Sequence, residues 1–403
     1  VEEFINYFDQ GYPTPEGVAF GIYADGAPSP FHWDGTQILR IGIQGYHVTD
    51  AERKPASLTF VIDVSGSMDM ENRLELVKQS LDEMVFRLRP DDTVAIVVYG
   101  SSAYPVLNPT SAGERNTILN AIHSLRPSGS TNAEAGLNIG FRLAAQSFKP
   151  GGINRVILCS DGVANIGDTT AKGILGDVRG YSEEGITLTT FGFGMGNFND
   201  TFMEQLANNG NGTYAYIDSI DEVRRIFVEG LTSVLQTIAF DTKVQVDFNH
   251  DVVSRYRLIG YENRYVADQD FRDDSVDAGE INAGHSVTAL YAVQLRPETA
   301  GRIATVQLRW EDPDSHKVRE INGNFNTWDL HGHFEAADPY YQLSTVVALY
   351  AEILRGSPYT GQATFDSLAS YAYTLAARLD NDPDVIEFAS LVGRASQIQA
   401  LGQ

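Results

Sequence analysis

Cysteine is almost missing. The 403-residue sequence holds one, Cys159, inside the apolar run RVILCS. An intramolecular disulfide is therefore excluded, and the thiol reads as a core side chain rather than a reactive one. This scarcity does not fix a redox compartment, because many exported chains also lack disulfides. Basic residues are in short supply too: 29 Lys and Arg stand against 53 Asp and Glu, a formal net charge of −24. Nucleic acid and anionic membrane surfaces are thereby poor partners, since both require clustered cationic side chains. An acidic surface instead favours solubility and attracts cations. No apolar run reaches the roughly 18 residues that mark a membrane-spanning helix. The sequence opens on Val1 and shows no signal-peptide pattern, so its numbering is expected to start at a processed or trimmed terminus.

What is present is a globular composition, 43% hydrophobic and 20% charged, long enough for two or three domains. From Ser57 to about Gln236, short apolar strands at 57–63, 93–99, 155–160, 186–193 and 213–217 alternate with amphipathic helices. In RLELVKQSLDEMVFRL, for example, Leu74, Val77, Leu81, Val85 and Leu88 share a face. TVAIVVYGSSAYPVL reads as an antiparallel edge hairpin. This alternation predicts an α/β fold with a doubly wound, mostly parallel sheet, whose ligands sit beyond the carboxyl ends of the strands. The flanks differ. KVQVDFN, SVTALYAVQL and IATVQLRW alternate at period two, as antiparallel strands with one wet face do, and QILRIGIQGYHV at 37–48 is similar. The expected organisation has an N-terminal helix and extended segment at 1–35 and strands of a flanking β domain at 36–56. The α/β domain follows at 57–236, an antiparallel β-sandwich at 237–334 and a helical segment at 335–403. One β domain built from both flanks, with the α/β domain inserted into it, is the economical arrangement; two separate β pieces are the alternative.

Three pieces carry chemistry. Asp63, Ser65 and Ser67 stand in DVSGSM at the end of the first α/β strand; Thr131 opens a helix in PSGSTNAEAG; Asp161 ends a strand in ILCSDGVAN. A doubly wound sheet would bring all three to one rim. Two carboxylates and three hydroxyls are hard oxygen donors, suited to Mg²⁺, with Ca²⁺ or Mn²⁺ as alternatives, rather than zinc or copper. Each piece also has a structural reading: a strand-to-helix turn for Asp63, a turn for SDG, and for Thr131 a helix N-cap with Glu134 completing a capping box.

With those residues in view, 57–236 resembles a von Willebrand factor type A (VWA) domain, and the DxSxS, Thr and Asp set matches its metal-ion-dependent adhesion site. The resemblance implies that Ser65, Ser67 and Thr131 reach the cation directly or through water. It further implies that Asp63 and Asp161 act mostly through ordered waters, and that the sixth position is left for an Asp or Glu of a protein ligand. NGNGTYAYIDSIDEVRRIF, VDAGEINAGHSVTALYAV and LRGSPYTG extend the likeness to a bacterial family of exported VWA proteins with a C-terminal domain of unknown function. An extracytoplasmic, periplasmic or cell-surface location is what that implies.

The expected function is a non-enzymatic, cation-dependent protein-binding or adhesion module. A self-associating surface protein with a purely structural metal is the alternative. A Mg²⁺-dependent phosphatase of haloacid-dehalogenase type would use Asp63, Thr131, Lys149 and Asp161, but Ser65 stands where its general acid belongs and Asn165 where a second carboxylate is wanted. A serine hydrolase on Ser67 lacks the G-x-S-x-G turn. The acidic stretch DQDFRDDSVDAGE offers a possible second cation site at Asp268, Asp270, Asp273 and Asp274, though it reads first as a solvated hairpin loop. His331 and His333 read as a turn, and the sequons at Asn199 and Asn211 are formal matches.

Overall fold

The computed structural model describes residues 1–161, 176, 178–194, 200–261, 271–273 and 278–401. Six strands form the α/β sheet: β3 (Ala56–Asp63), β4 (Thr93–Tyr99), β5 (Ala103–Ser111), β6 (Ile153–Ser160), β7 (Thr187–Phe193) and β8 (Tyr214–Ile217). Their order is β5-β4-β3-β6-β7-β8. All neighbours run parallel except β4 and β5, the expected edge hairpin. Central strands β3 and β6 are buried at every position, which explains why they read as continuous apolar runs.

Helices cover both faces. On one side α2 (Arg73–Arg87), α3 (Arg115–Ser124), α6 (Ile220–Arg224) and α7 (Leu231–Leu235) enclose Leu58, Phe60 and Ile62 of β3. The predicted α2 face is buried throughout. On the other side α4 (Ala133–Gln146), residues 178–183 and α5 (Asp200–Asn209) enclose Val61, Val97 and Leu158. Helix α4 lies close to the sheet because it presents glycine there. A Cβ on Gly140 would stand 2.4 Å from Val61 Cγ2, and one on Gly136 2.8 Å from the Tyr99 ring.

Two antiparallel sheets make the sandwich. One has the order β1-β2-β12-β10, from β1 (Phe20–Pro28), β2 (Gln37–Gly45), β10 (Val253–Ile259) and β12 (Ser286–Leu295). The other has the order β11-β9-β13-β14, from β9 (Thr237–Phe248), β11 (Gly279–Asn282), β13 (Arg302–Glu311) and β14 (Val318–Asn326). Strands from before and after the α/β sheet thus pair directly, β2 with β12 over 37–44. The N-terminal stretch expected to be merely extended contains a full strand, β1, zipped along β2. Ile41 and Ile43 meet Val306, Leu308 and Trp310 between the sheets.

The wet face expected of β2 is not found. Helices α8 (Pro339–Leu354), α9 (Phe365–Arg378) and α10 (Pro383–Leu401) pack on the outer side of its sheet, so Ile38 joins Leu343, Val346 and Val347 in a separate core. Arg40, on the same side as Ile38, is buried but paired with Asp25 through two hydrogen bonds of 2.9 and 2.7 Å. Leu354, at the last turn of α8, is 54% exposed although its spacing from Leu343, Val347 and Tyr350 puts it on their side of the helix.

Candidate metal centre

The three pieces lie at the carboxyl-end rim of the α/β sheet. Strand β3 delivers Asp63, and Val64 is then pinned from two sides: its N–H donates to Tyr99 O at 2.9 Å and its carbonyl accepts from Ser128 N at 2.5 Å. That holds the loop after β3 against the end of β4 and the loop before α4. Gly66 N donates to Gly129 O at 3.1 Å, a second tie between the same two loops. Gly129 has φ +82°, and a Cβ there would sit 2.3 Å from Ser101 Oγ, so glycine is required.

Asp63 is fully buried, and both oxygens are occupied: Oδ1 accepts from Ser65 N at 2.8 Å and Oδ2 from Ser160 Oγ at 3.0 Å. Burial pushes its carboxyl above the usual range, and the nearby Asp161 charge adds to that rise, while the Ser65 and Ser160 hydrogen bonds oppose it. Ser65 and Ser67 share a hydrogen bond between their hydroxyls at 3.1 Å. Ser65 is buried; Ser67, on the 3₁₀ turn Gly66–Asn72, is half-buried. Asp161 follows β6, the neighbour of β3, and its Oδ2 accepts from Arg73 Nη1 at 3.0 Å. Thr131 is half-buried in the loop tied to Gly66. It does not cap α4. The cap is Asn132, whose Oδ1 accepts from Ala135 N at 3.1 Å, and the Thr131 hydroxyl is not spent on the helix.

Arg73 and Ser160 were not singled out in the sequence. Ser160 could have been: it precedes Asp161 on an alternating strand, so one of the pair must face Asp63. Arg73 carries no such signal, since it reads as one more charge at a helix start.

Other expectations fare differently. Asp268, Asp270 and Asp274 lie outside the described residues. Asp273 is exposed, and its carbonyl accepts from the buried Lys243 Nζ at 2.5 Å, which puts a cationic group against the Asp273 backbone. Asn165 and Asn199 are also outside the described residues; Asn211 sits in a left-handed turn before β8. His331 and His333 flank a bend, and His333 faces Glu335 at 3.5 Å. Among the described residues no three His, Cys, Asp or Glu side chains gather as a metal cluster. The donor set at the rim is different in kind, two carboxylates with hydroxyls, which suits Mg²⁺, Mn²⁺ or Ca²⁺. Lys149 precedes β6 whereas Asp161 follows it. Eight strand residues separate them by about 26 Å, so Lys149 is at the opposite edge and a phosphatase site on this quartet is not assembled.

Comparison with known proteins bears on the family and the fold. Residues 57–228 match the von Willebrand factor type A domain, and residues 233–398 match the family described as "Uncharacterized protein YfbK, C-terminal". "Uncharacterized protein YfbK" of Escherichia coli (strain K12) is 33% identical over 399 residues, covering 92% of this chain and 68% of that one. Inter-alpha-trypsin inhibitor heavy chain H2 of Mus musculus is 29% identical over 202 residues, 46% of this chain but only 21% of its own length. A solved structure, von Willebrand factor type A from Catenulispora acidiphila, matches with TM-score 0.51 over 94% of this chain and 90% of its own, at 15% identity, a likeness of fold. The chain belongs to the YfbK family of von Willebrand factor type A proteins.

Proposed function

We propose that the chain is a non-enzymatic protein-binding module that uses a divalent cation, Mg²⁺ in the first instance, to capture an Asp or Glu side chain of a partner protein. Ser65, Ser67 and Thr131 would hold the cation, with Asp63 and Asp161 acting through water. The observation that carries this reading is the meeting of three loops at one rim. The Ser65 and Ser67 hydroxyls lie 3.1 Å apart beside the buried Asp63, and the Thr131 loop is hydrogen-bonded to Gly66. The cation would supply a fixed positive charge with an open coordination position. The protein's part is to orient hydroxyls that stay neutral at any physiological pH.

Catalysis has little support here. Asp63 is fully buried with both oxygens engaged, unlike a nucleophile, and Ser67 Oγ pairs with Ser65 Oγ rather than with a histidine among the described residues. Self-association through the same rim, with a carboxylate from a second copy, is the second form of the proposal. An extracytoplasmic location rests on the family resemblance. No helix among the described residues is long and apolar enough to cross a membrane.

Calorimetric titration of the chain with Mg²⁺ and Mn²⁺, in parallel with Ser65→Ala and Thr131→Ala, tests the cation. Binding by the parent chain and loss in both variants is expected; equal heats in all three would end the reading. Capture from native extract with Mg²⁺ or EDTA then tests the ligand, and a partner held equally in both buffers would leave the metal a structural role.

A further inference from the structure

The rim contains a cation of its own. Arg73 is the first residue of α2, where the positive end of the helix macrodipole disfavours a guanidinium. It is nevertheless almost buried, at 9% exposure. Its Nη1 donates to Asp161 Oδ2 at 3.0 Å, and the Asp161 side chain has no exposed surface. The end of β7 is shaped to admit it: Gly194 has φ +109°, and a Cβ there would lie 2.2 Å from Arg73 Nε. A buried arginine at an unfavourable helix end, in space kept clear by a left-handed glycine, is a built feature.

We infer that Arg73 is a resident counter-cation of the metal centre, holding Asp161 when no metal is bound and competing electrostatically with the divalent ion. This rests on the metal-binding reading above. The Arg73 guanidinium offsets part of the negative charge that Asp63 and Asp161 present. Metal affinity is therefore lower than the two carboxylates would give without it, because like charges in a partly desolvated site repel. Arg73 thus acts as a positioning residue, through Asp161, on the affinity of the centre. A purely structural ion pair would affect stability alike with and without metal.

The test uses the full chain and Mn²⁺ as probe, with free Mn²⁺ read by electron paramagnetic resonance and thermal unfolding followed in EDTA and in saturating Mn²⁺. Arg73→Gln is expected to bind Mn²⁺ about tenfold or more tightly than the parent chain. It should unfold at a lower temperature in EDTA, because the buried Asp161 carboxylate loses the guanidinium that faces it, and recover most of that loss in Mn²⁺. Arg73→Lys, which keeps the charge, should stay within about threefold of the parent affinity. Equal or weaker Mn²⁺ binding by Arg73→Gln, or an equal thermal loss in both buffers, would overturn the inference while leaving the metal centre intact. Absence of Mn²⁺ binding in the parent chain and in Arg73→Gln would overturn the metal reading itself, and this inference with it. Should Arg73→Gln not fold, the comparison moves to Asp161→Asn against Arg73→Gln/Asp161→Asn, in which the side chain facing residue 73 is neutral in both chains. Tighter binding by the double variant supports the inference, and no gain overturns it.

Discussion

Asp63 and Thr131 show how differently single residues serve one rim. Asp63 has no exposed surface, and its carboxyl is raised by burial and by the Asp161 charge. Without metal, a buried carboxylate that prefers its proton more in the folded than in the unfolded chain destabilises the fold at neutral pH. The penalty is complete above the raised folded value and fades as pH falls toward the ordinary value of 3.8. Asp63→Asn should therefore unfold at a higher temperature than the parent chain in EDTA at pH 7. That advantage should shrink in acid, and added Mn²⁺ should give it no stabilisation; scanning calorimetry across pH reads all three. A parent chain that is the more stable at pH 7 in EDTA would contradict this. Thr131 and Asn132 divide two tasks that a sequence reader assigns to one residue. Because Asn132 Oδ1 makes the cap, Asn132→Ala should cost about 1 kcal/mol of stability in a denaturant titration and leave Mn²⁺ affinity unchanged. Thr131→Ala should change stability by less than about 0.5 kcal/mol and weaken Mn²⁺ binding. The reverse pattern would restore the capping-box reading.

At the scale of elements, helix α4 fixes the distance between the Thr131 loop and the strand that ends in Asp63. Its interior glycines look like weaknesses, since glycine in a helix costs about 1 kcal/mol relative to alanine. Contact decides otherwise. A Cβ at 140 would stand 2.4 Å from a methyl of the stiff, β-branched Val61 on β3. Gly140→Ala should therefore destabilise by about 1–3 kcal/mol instead of stabilising, and by shifting α4 outward it should weaken Mn²⁺ binding as well; urea unfolding and Mn²⁺ titration of one preparation check both. The elements themselves were largely legible. Strands such as Thr93–Tyr99 and the buried face of α2 follow from unbroken apolar runs and from 3.6-residue periodicity. The positions of Asp63 and Asp161 at the rim follow from the ends of β3 and β6, and that of Thr131 from the start of α4. What was not legible is contact between distant segments. Period two in β2 announces a strand but not that helices beyond residue 339 will cover its second face. Arg73 at a helix start does not announce Asp161, 88 positions later.

For the whole molecule the same limit has a consequence for how the chain can be divided. The YfbK C-terminal match spans residues 233–398, which suggests a self-contained unit after the VWA domain. The sheets say otherwise. Strand β2 sits between β1 and β12, hydrogen-bonded to both, and its side chains enter three separate cores: Ile38 with the C-terminal helices, Leu39 with Phe248 and Phe325, and Ile41 and Ile43 with Trp310. Helix α1 (Glu2–Tyr7) adds Ile5, with no exposed surface, to the helical core. Removing residues 1–54 would strip β12 of its partner and lay open aliphatic surface on both faces of a two-stranded remnant. Burying one aliphatic side chain is worth about 1.5–3 kcal/mol, so losing Ile5, Ile38, Leu39, Ile41 and Ile43 removes an amount comparable to the whole of the roughly 5–15 kcal/mol by which a domain is ordinarily stable. The fragment 233–401 should accordingly be unfolded or aggregated, showing no cooperative thermal transition by circular dichroism. The same fragment preceded by residues 1–54 through a flexible linker, with the α/β domain deleted, should fold and melt as one unit. A cooperative transition in the bare C-terminal fragment would mean that β12 and β10 need no N-terminal partner, and that the α/β domain joins two modules instead of interrupting one.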